Sequence, residues 1–194
     1  MTYLTVYTDG EAPERLLATV DPDEIATELK GIDVRLRHWR VAEDLPSGAS
    51  QDEILKAYRE EVDRVVAEEG YTFVDVAQLH PDGSADWPER AAGARRKFLA
   101  EHTHDDDEVR FFVEGSGIFY LHTEGRIHAV LCEAGDLLSV PRNTTHWFDM
   151  GTEPAFTAIR FFHDDDGWVG DFTGNPIAER IPDFDTITAG RPVA

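Results

Sequence analysis

Hydrophobic and polar positions change rhythm several times along this chain. Leu4, Val6 and Tyr7 suggest a short opening strand. Asp21-Pro22-Asp23-Glu24 then offers an N-cap, a proline at the first helical position and an acidic first turn, predicting a helix that stops near Gly31. From Ile32 the pattern alternates: Ile32, Val34 and Leu36 share one face and Asp33, Arg35 and Arg37 the other, as in a half-buried strand. Ser50-Gln51-Asp52-Glu53 reads as a capping box, after which Ile54, Tyr58, Val62, Val65 and Val66 recur at helical spacing, predicting one helix as far as Gly70. Residues 71–76 return to strand, Pro81-Asp82-Gly83 turns the chain, and 88–99 predicts a short helix.

Beyond Phe98 the pattern becomes a series of short strands, at 109–113, 118–122, 126–131, 137–140, 145–148 and 155–162, with Gly115-Ser116-Gly117 read as a turn. Such spacing indicates an all-β sandwich or small barrel. After Gly167 the density of Gly and Pro predicts an irregular tail wrapped on the outside. The expected organisation is a single domain over 1–194: a helical and strand framework (1–97), barrel strands (98–165) and a C-terminal wrap (166–194).

Composition changes this picture in three ways. A hydrophobic fraction of 41% over 194 residues supplies a core without disulfide or metal staples. With 18 Lys plus Arg against 39 Asp plus Glu, the net charge of -21 makes nucleic acid and anionic membranes poor partners, since both bind through clustered cations. The same charge opposes self-association, so a monomer is expected, and the acidity is read as a solubility or salt-tolerance feature. The single cysteine, Cys132, precludes an intramolecular disulfide and suits a reducing compartment. No basic, apolar leader and no run of 18 apolar residues is present, so a cytoplasmic location is expected.

The chemistry is concentrated in Glu101-His102-Thr103-His104-Asp105-Asp106-Asp107-Glu108-Val109-Arg110. Histidines at i and i+2 on a strand share a face, with Cβ atoms about 6–7 Å apart, close enough to share one ion. Glu108 would lie roughly 13 Å beyond His104 on a straight strand. A bend at the three aspartates is therefore required to bring it back, and Asp favours turns. A third imidazole comes from His146, which follows a strand bracketed by Gly135 and Pro141. Three imidazoles and a carboxylate suit Fe(II), Ni(II), Mn(II) or Co(II) and suit Mg or Ca poorly; in an octahedral site two positions stay open for a chelating substrate. Arg110 shares the parity of Glu108 and is expected to face inward, either toward a substrate anion or in a salt bridge with Glu108. His38, His80, His122 and His128 lack such a setting and are read as structural. Arg90, Arg95, Arg96 and Lys97 are read as local charge balance.

The pattern His102-x-His104-x3-Glu108-x6-Gly115 with Gly135-x5-Pro141-x-Asn143-x2-His146 resembles the two motifs of the cupins, which are double-stranded β-helix barrels. Asn143 departs from it, standing where a glycine is usual. Lys97-Phe98-Leu99-Ala100-Glu101-His102-Thr103-His104, the run 108–117, Pro141-x4-His146-Trp147-Phe148-Asp149, Ile159-Arg160-Phe161-Phe162 and Gly167-Trp168 more closely resemble the acireductone dioxygenase family of methionine salvage. That resemblance implies a mainly β cupin with a few helices packed outside, mostly from the N-terminal half. It also implies one Fe(II) or Ni(II) per chain on His102, His104, Glu108 and His146, with the acireductone 1,2-dihydroxy-3-keto-5-methylthiopentene and O2 as substrates. Arg110 takes the catalytic, dianion-generating position. Phe98, Phe148, Arg160 and Trp168 fall at pocket positions, although ordinary barrel core explains the aromatics equally well. The family gives the Glu101 position a part in metal incorporation and the Asp107 position a part in transmitting conformational changes; solvent-facing carboxylates are the simpler expectation for both.

Two alternatives stand beside this. Another cupin metalloenzyme, of the flavonol dioxygenase or sugar-phosphate isomerase type, would want a wider apolar pocket or several inward cations. A metal-binding cupin without turnover would keep the ligands alone, since a fold does not fix a function.

Overall fold

The computed structural model describes residues 1–46, 48–163 and 169–192. In chain order it contains β1 (Tyr3–Thr8), β2 (Arg15–Thr19), α1 (Pro22–Gly31), β3 (Arg35–His38), α2 (Gln51–Ala57), α3 (Arg59–Glu69), β4 (Phe73–Leu79) and α4 (Trp87–Leu99). There follow β5 (His102–Thr103), β6 (Glu108–Thr123), β7 (Arg126–Glu133), β8 (Asp136–Val140), β9 (Thr145–Asp149), β10 (Phe156–Phe162), β11 (Asp171–Phe172), a 3-10 turn at Pro176–Glu179 and α5 (Phe184–Ala189).

Everything is hung on β6, which is 16 residues long and belongs to two sheets. Its first half lies between β8 and β10, with β3 and β4 at the margins. Its second half lies between β7 and β9 in a sheet ordered β11-β5-β9-β6-β7-β1-β2. All these pairings are antiparallel. The expected turn at Gly115-Ser116-Gly117 is therefore absent: the strand bends and continues. The bend is a bulge, because Thr157 pairs with Glu114 and Ala158 with Phe112, leaving Val113 extra. Gly115 supplies the φ of +74° there, and a Cβ would meet the Ala155 carbonyl oxygen at 1.9 Å. The bulge also flips parity, so that Phe112 before it and Phe119 after it join the same interior cluster with Leu4, Val130, Leu138 and Ala158.

Two further apolar layers coat the outer faces. α2 and α3 pack Tyr58, Val62 and Val65 on Phe111, Ile159 and Phe161. The C-terminal segment packs Ile177, Ile181 and Ile187 on Tyr3, Tyr120 and Trp147. Strands covered on both sides are buried at nearly every position, as β10 is, and lose the alternation expected of a half-wet sheet. The architecture is mainly β, a cupin with helices outside.

The first hundred residues supply β1 to β4 to the two sheets, among them β2, which carries no period-2 signal of its own. Three further sequence-based expectations change. The helix predicted to reach Gly70 breaks at Tyr58 (φ -105°, ψ 19°), whose buried hydroxyl is drawn to the Ala42 amide at 2.9 Å. Asp33 adopts φ 58°, so the alternating strand starts only at Arg35. The C-terminal wrap is more regular than its Gly and Pro content suggests: Asn175 and Asp183 cap the 3-10 turn and α5.

Candidate metal centre

His102 and His146 stand opposite each other on β5 and β9, and His104 follows at the end of β5. Their ring centroids are 4.6 Å (His102 to His146), 4.9 Å (His104 to His146) and 6.2 Å (His102 to His104) apart. One ligating atom from each lies within 4.8 Å of the others, and all three residues are buried. The surroundings fix which atom that is. Each Nδ1 is held by a backbone carbonyl: His102 on Ala100 at 2.7 Å, His104 on Asp106 at 2.6 Å, His146 on Thr144 at 2.8 Å. A carbonyl only accepts, so each Nδ1 carries the hydrogen and each Nε2 keeps its lone pair. Burial lowers the pKa of His102 and brings that of His146 down to about 4, so both are neutral donors at neutral pH.

The aspartate bend brings Glu108 Oε2 within 3.3 Å of His104 Nε2, while the group whose ligating atoms all lie within 4.8 Å of one another is the three histidines without it. Burial pushes the Glu108 carboxyl upward, but Arg110 and the histidines outweigh it and hold it at about 2. Arg110 Nη2 spans both oxygens, at 2.8 and 3.0 Å. The salt bridge to Glu108 foreseen as one role of Arg110 is thus present, while the same side chain also lines, with Glu108, an apolar-walled cavity.

The bend itself is pinned from outside. Asp106 accepts the His163 amide at 2.9 Å. Asp107 accepts the Tyr71 hydroxyl at 3.2 Å and the Arg142 amide at 2.9 Å, so it is not the solvent-facing carboxylate expected. Asn143 donates its amide to the His104 carbonyl at 2.8 Å with φ 64°, a left-handed conformation that explains an asparagine where the cupin motif has glycine. Glu101 also departs from expectation. It is 3% exposed, accepts from His122 Nδ1 at 2.6 Å and from Thr173 Oγ1 at 2.6 Å, and thereby ties β5 to β6 and to the C-terminal segment. His122, with Asp9 3.3 Å from its other nitrogen, is structural in a specific sense: it compensates that carboxylate.

The cavity is narrow, about 60 Å³, and lined by Phe98, Glu108, Arg110, Phe148 and Arg160 among others; Glu108 is the candidate ligand that reaches it, and the three histidines are not in its lining. Phe98 and Phe148 are partly buried against the interior cluster, so they serve as core and as wall together. Gly117 makes room for Phe148, since a Cβ there would meet its ring at 2.3 Å. Arg160 is anchored by Asp75, with Nε to Oδ1 at 2.7 Å, and its guanidinium lies over the Phe162 ring. Trp168 lies outside the described residues. Of the remaining basic residues, Arg95 forms a two-pronged pair with buried Asp149 at 2.7 and 2.8 Å, so the charge it balances is a buried one 54 positions away rather than a local one on a solvated face. Sequence reasoning missed Asp75, Tyr71 and Thr173, whose partners lie 36 to 85 positions away along the chain.

A buried triad of converging imidazoles on a two-sheet β scaffold defines a cupin of the metal-binding kind. The ARD/ARD' family model matches residues 3–170. An acireductone dioxygenase of Frankia alni is 59% identical over 96% of this chain and 91% of its own length. One from Saccharopolyspora erythraea is 56% identical over 98% of this chain and its full length. Among solved structures, an acireductone dioxygenase from Bacillus anthracis with a cadmium ion in its active centre superposes with a TM-score of 0.73 at 29% identity, covering 89% of this chain and 98% of that one. The chain belongs to the ARD/ARD' family, an enzyme family of dioxygenases.

Proposed function

We propose that the protein cleaves the acireductone 1,2-dihydroxy-3-keto-5-methylthiopentene with O2, in methionine salvage, using one Fe(II) or Ni(II) held by His102, His104, His146 and Glu108. The observation that carries this is the convergence of three Nε2 lone pairs with every Nδ1 locked on a carbonyl, which suits a borderline divalent metal. When bound, such a metal supplies Lewis acidity and a template for two oxygens on adjacent carbons. The rest falls to the protein. Arg110, permanently charged and 12% exposed, stabilises the ionised enediol beside Glu108. Phe98 and Phe148 narrow the cavity and keep water from the electron-rich substrate. The two metals share one donor set, and the resemblance to the family implies that the bound metal selects the outcome: 2-keto-4-methylthiobutyrate and formate with Fe(II), and methylthiopropionate, formate and carbon monoxide with Ni(II).

Among the described residues no helix is long and apolar enough to cross a membrane. A monomer working in the cytoplasm is part of the same proposal, the net charge of -21 opposing self-association. Anaerobic reconstitution with Fe(II) or with Ni(II), followed by acireductone, O2 and carbon monoxide analysis, tests the reading. Acireductone loss no faster than in a metal-free blank rejects it.

A further inference from the structure

The second guanidinium at the cavity has a partner that neither the cupin motifs nor the triad accounts for. Asp75, Arg160 and Arg110 stand in register on three adjacent strands: Asp75 opposite Arg160 across β4 and β10, and Arg160 opposite Arg110 across β10 and β6. Like charges directly opposite on a sheet are unfavourable, and here both guanidiniums also share one ring, their Cζ atoms lying 5.5 Å (Arg110) and 5.3 Å (Arg160) from the Phe162 centroid. Each has its own carboxylate: Arg110 on Glu108, Arg160 on Asp75. Exposure of the four side chains falls from the rim inward, at 30% for Arg160, 20% for Asp75, 12% for Arg110 and 7% for Glu108. Without Asp75, Arg160 would be an uncompensated cation lining the same cavity as Glu108, a candidate metal ligand.

We propose that Asp75 is a positioning residue that restrains Arg160 at the cavity rim, keeping its charge from competing with the divalent metal for Glu108. With two carboxylates balancing two guanidiniums, the metal's charge is left for an anionic substrate. This last step rests on the proposed function, whereas the effect on the metal does not.

The test is calorimetric titration of metal-stripped protein with Ni(II). Asp75→Asn, close to isosteric, removes the charge and one arm of the pair; Ni(II) binding is expected to weaken about tenfold, the order for one added unit charge roughly 10 Å from a dication at a partly solvated site. Adding Arg160→Met to Asp75→Asn restores the parent affinity, and Arg160→Met alone binds Ni(II) at least as tightly as the parent. A purely structural role for Asp75 gives no such rescue. In turnover assays KM for the acireductone falls in Asp75→Asn, because the freed cation attracts the dianion while opposing the metal. Unchanged Ni(II) affinity in Asp75→Asn, or a double variant as weak as that single one, overturns the proposal. If Asp75→Asn does not fold by circular dichroism, Arg160→Met decides: a tenfold loss of Ni(II) affinity there overturns it, and parental or tighter binding upholds it. A Ni(II) shift without acireductone turnover in any form rejects the proposed function and leaves this inference standing.

Discussion

Replacing His122 by Ala probes the buried carboxylate beneath β5. Glu101 is 3% exposed and has two side-chain partners, His122 Nδ1 and Thr173 Oγ1, both at 2.6 Å. Removing His122 leaves a carboxylate out of water with one hydroxyl to satisfy it. Breaking a fully buried pair in this way costs about 3–5 kcal/mol. His122 is 19% exposed and shares its other nitrogen with Asp9, so solvent and a second charge already weaken the pair, and about 2–3 kcal/mol is expected. At a urea dependence of about 2 kcal/mol per molar, the unfolding midpoint falls by about 1 M. The measurement is a double-mutant cycle in urea with Glu101→Ala, in which removing both partners costs less than the sum by about 1–2 kcal/mol. Nickel titrations of the same variants extend it, since Glu101 precedes His102 and loosening β5 displaces one Nε2 from the other two. A loss below about 0.5 kcal/mol in His122→Ala, or additivity within that margin, refutes the argument that the pair is coupled.

Other outcomes follow from the same geometry. His146→Ala removes one of three converging Nε2 atoms and its cross-strand partner for His102; metal content by mass spectrometry and O2-dependent acireductone loss both vanish. Gly117→Ala drives a methyl group into the Phe148 ring, costing about 1–3 kcal/mol in urea unfolding and lowering turnover through the displaced cavity wall. Asp183 has its carboxyl held below the usual range, first by the Thr186 cap and then by Arg95, with its modest burial acting the other way. Its folded form binds the proton less readily than the unfolded chain, so its contribution is present above about pH 4 and is lost as pH falls through the lower folded value. Asp183→Asn can still cap α5 but cannot titrate, so its acid unfolding limb is flatter than that of the parent, and parallel limbs would contradict the assignment.

How far the fold could be read from the chain depended on whether the signal was local. The caps at Asp21 and Ser50 formed as the residues dictate, the latter as a full capping box. The helix at Trp87–Leu99 and the strands from β7 to β10 fall where pattern and punctuation put them. The misreading at Gly115-Ser116-Gly117 has a physical cause. Two glycines around a serine signal a turn in isolation, but Gly115 serves a bulge and Gly117 a close approach by Phe148, both dictated by strands distant in sequence. Tyr58 sits at correct helical spacing and still interrupts the helix, because its hydroxyl partner, the Ala42 amide, comes from another segment.

The site was legible in its ligands and illegible in its supports, for a reason that bears on the charge of the whole molecule. Two histidines and a glutamate within seven positions announce themselves, and the rise of a straight strand alone required the bend at 105–107. Parity could say that Glu101 leaves the face of His102, yet leaving one face of a strand in a two-sheet protein means entering another buried layer. There the carboxylate meets His122 and Thr173 instead of water. Asp75, Asp107 and Asp149 share that fate, each engaged by a group far off in sequence: Arg160, Tyr71 and Arg95. In a chain with 39 acidic residues such carboxylates are indistinguishable by composition from those that only solvate the surface. Their difference is energetic and appears on substitution. Loss of an exposed acid shifts stability by a few tenths of a kcal/mol, whereas loss of Asp149 takes from Arg95 its two-pronged buried partner, leaving it Asp183 at 3.4 Å and Asp185 at 4.0 Å, and empties two backbone contacts, at Gly151 and Phe184, for about 2–3 kcal/mol. An acidic-to-amide scan scored by urea midpoint should therefore split into two groups, with these four aspartates and glutamates in the costly one, and a single continuous distribution would refute the division.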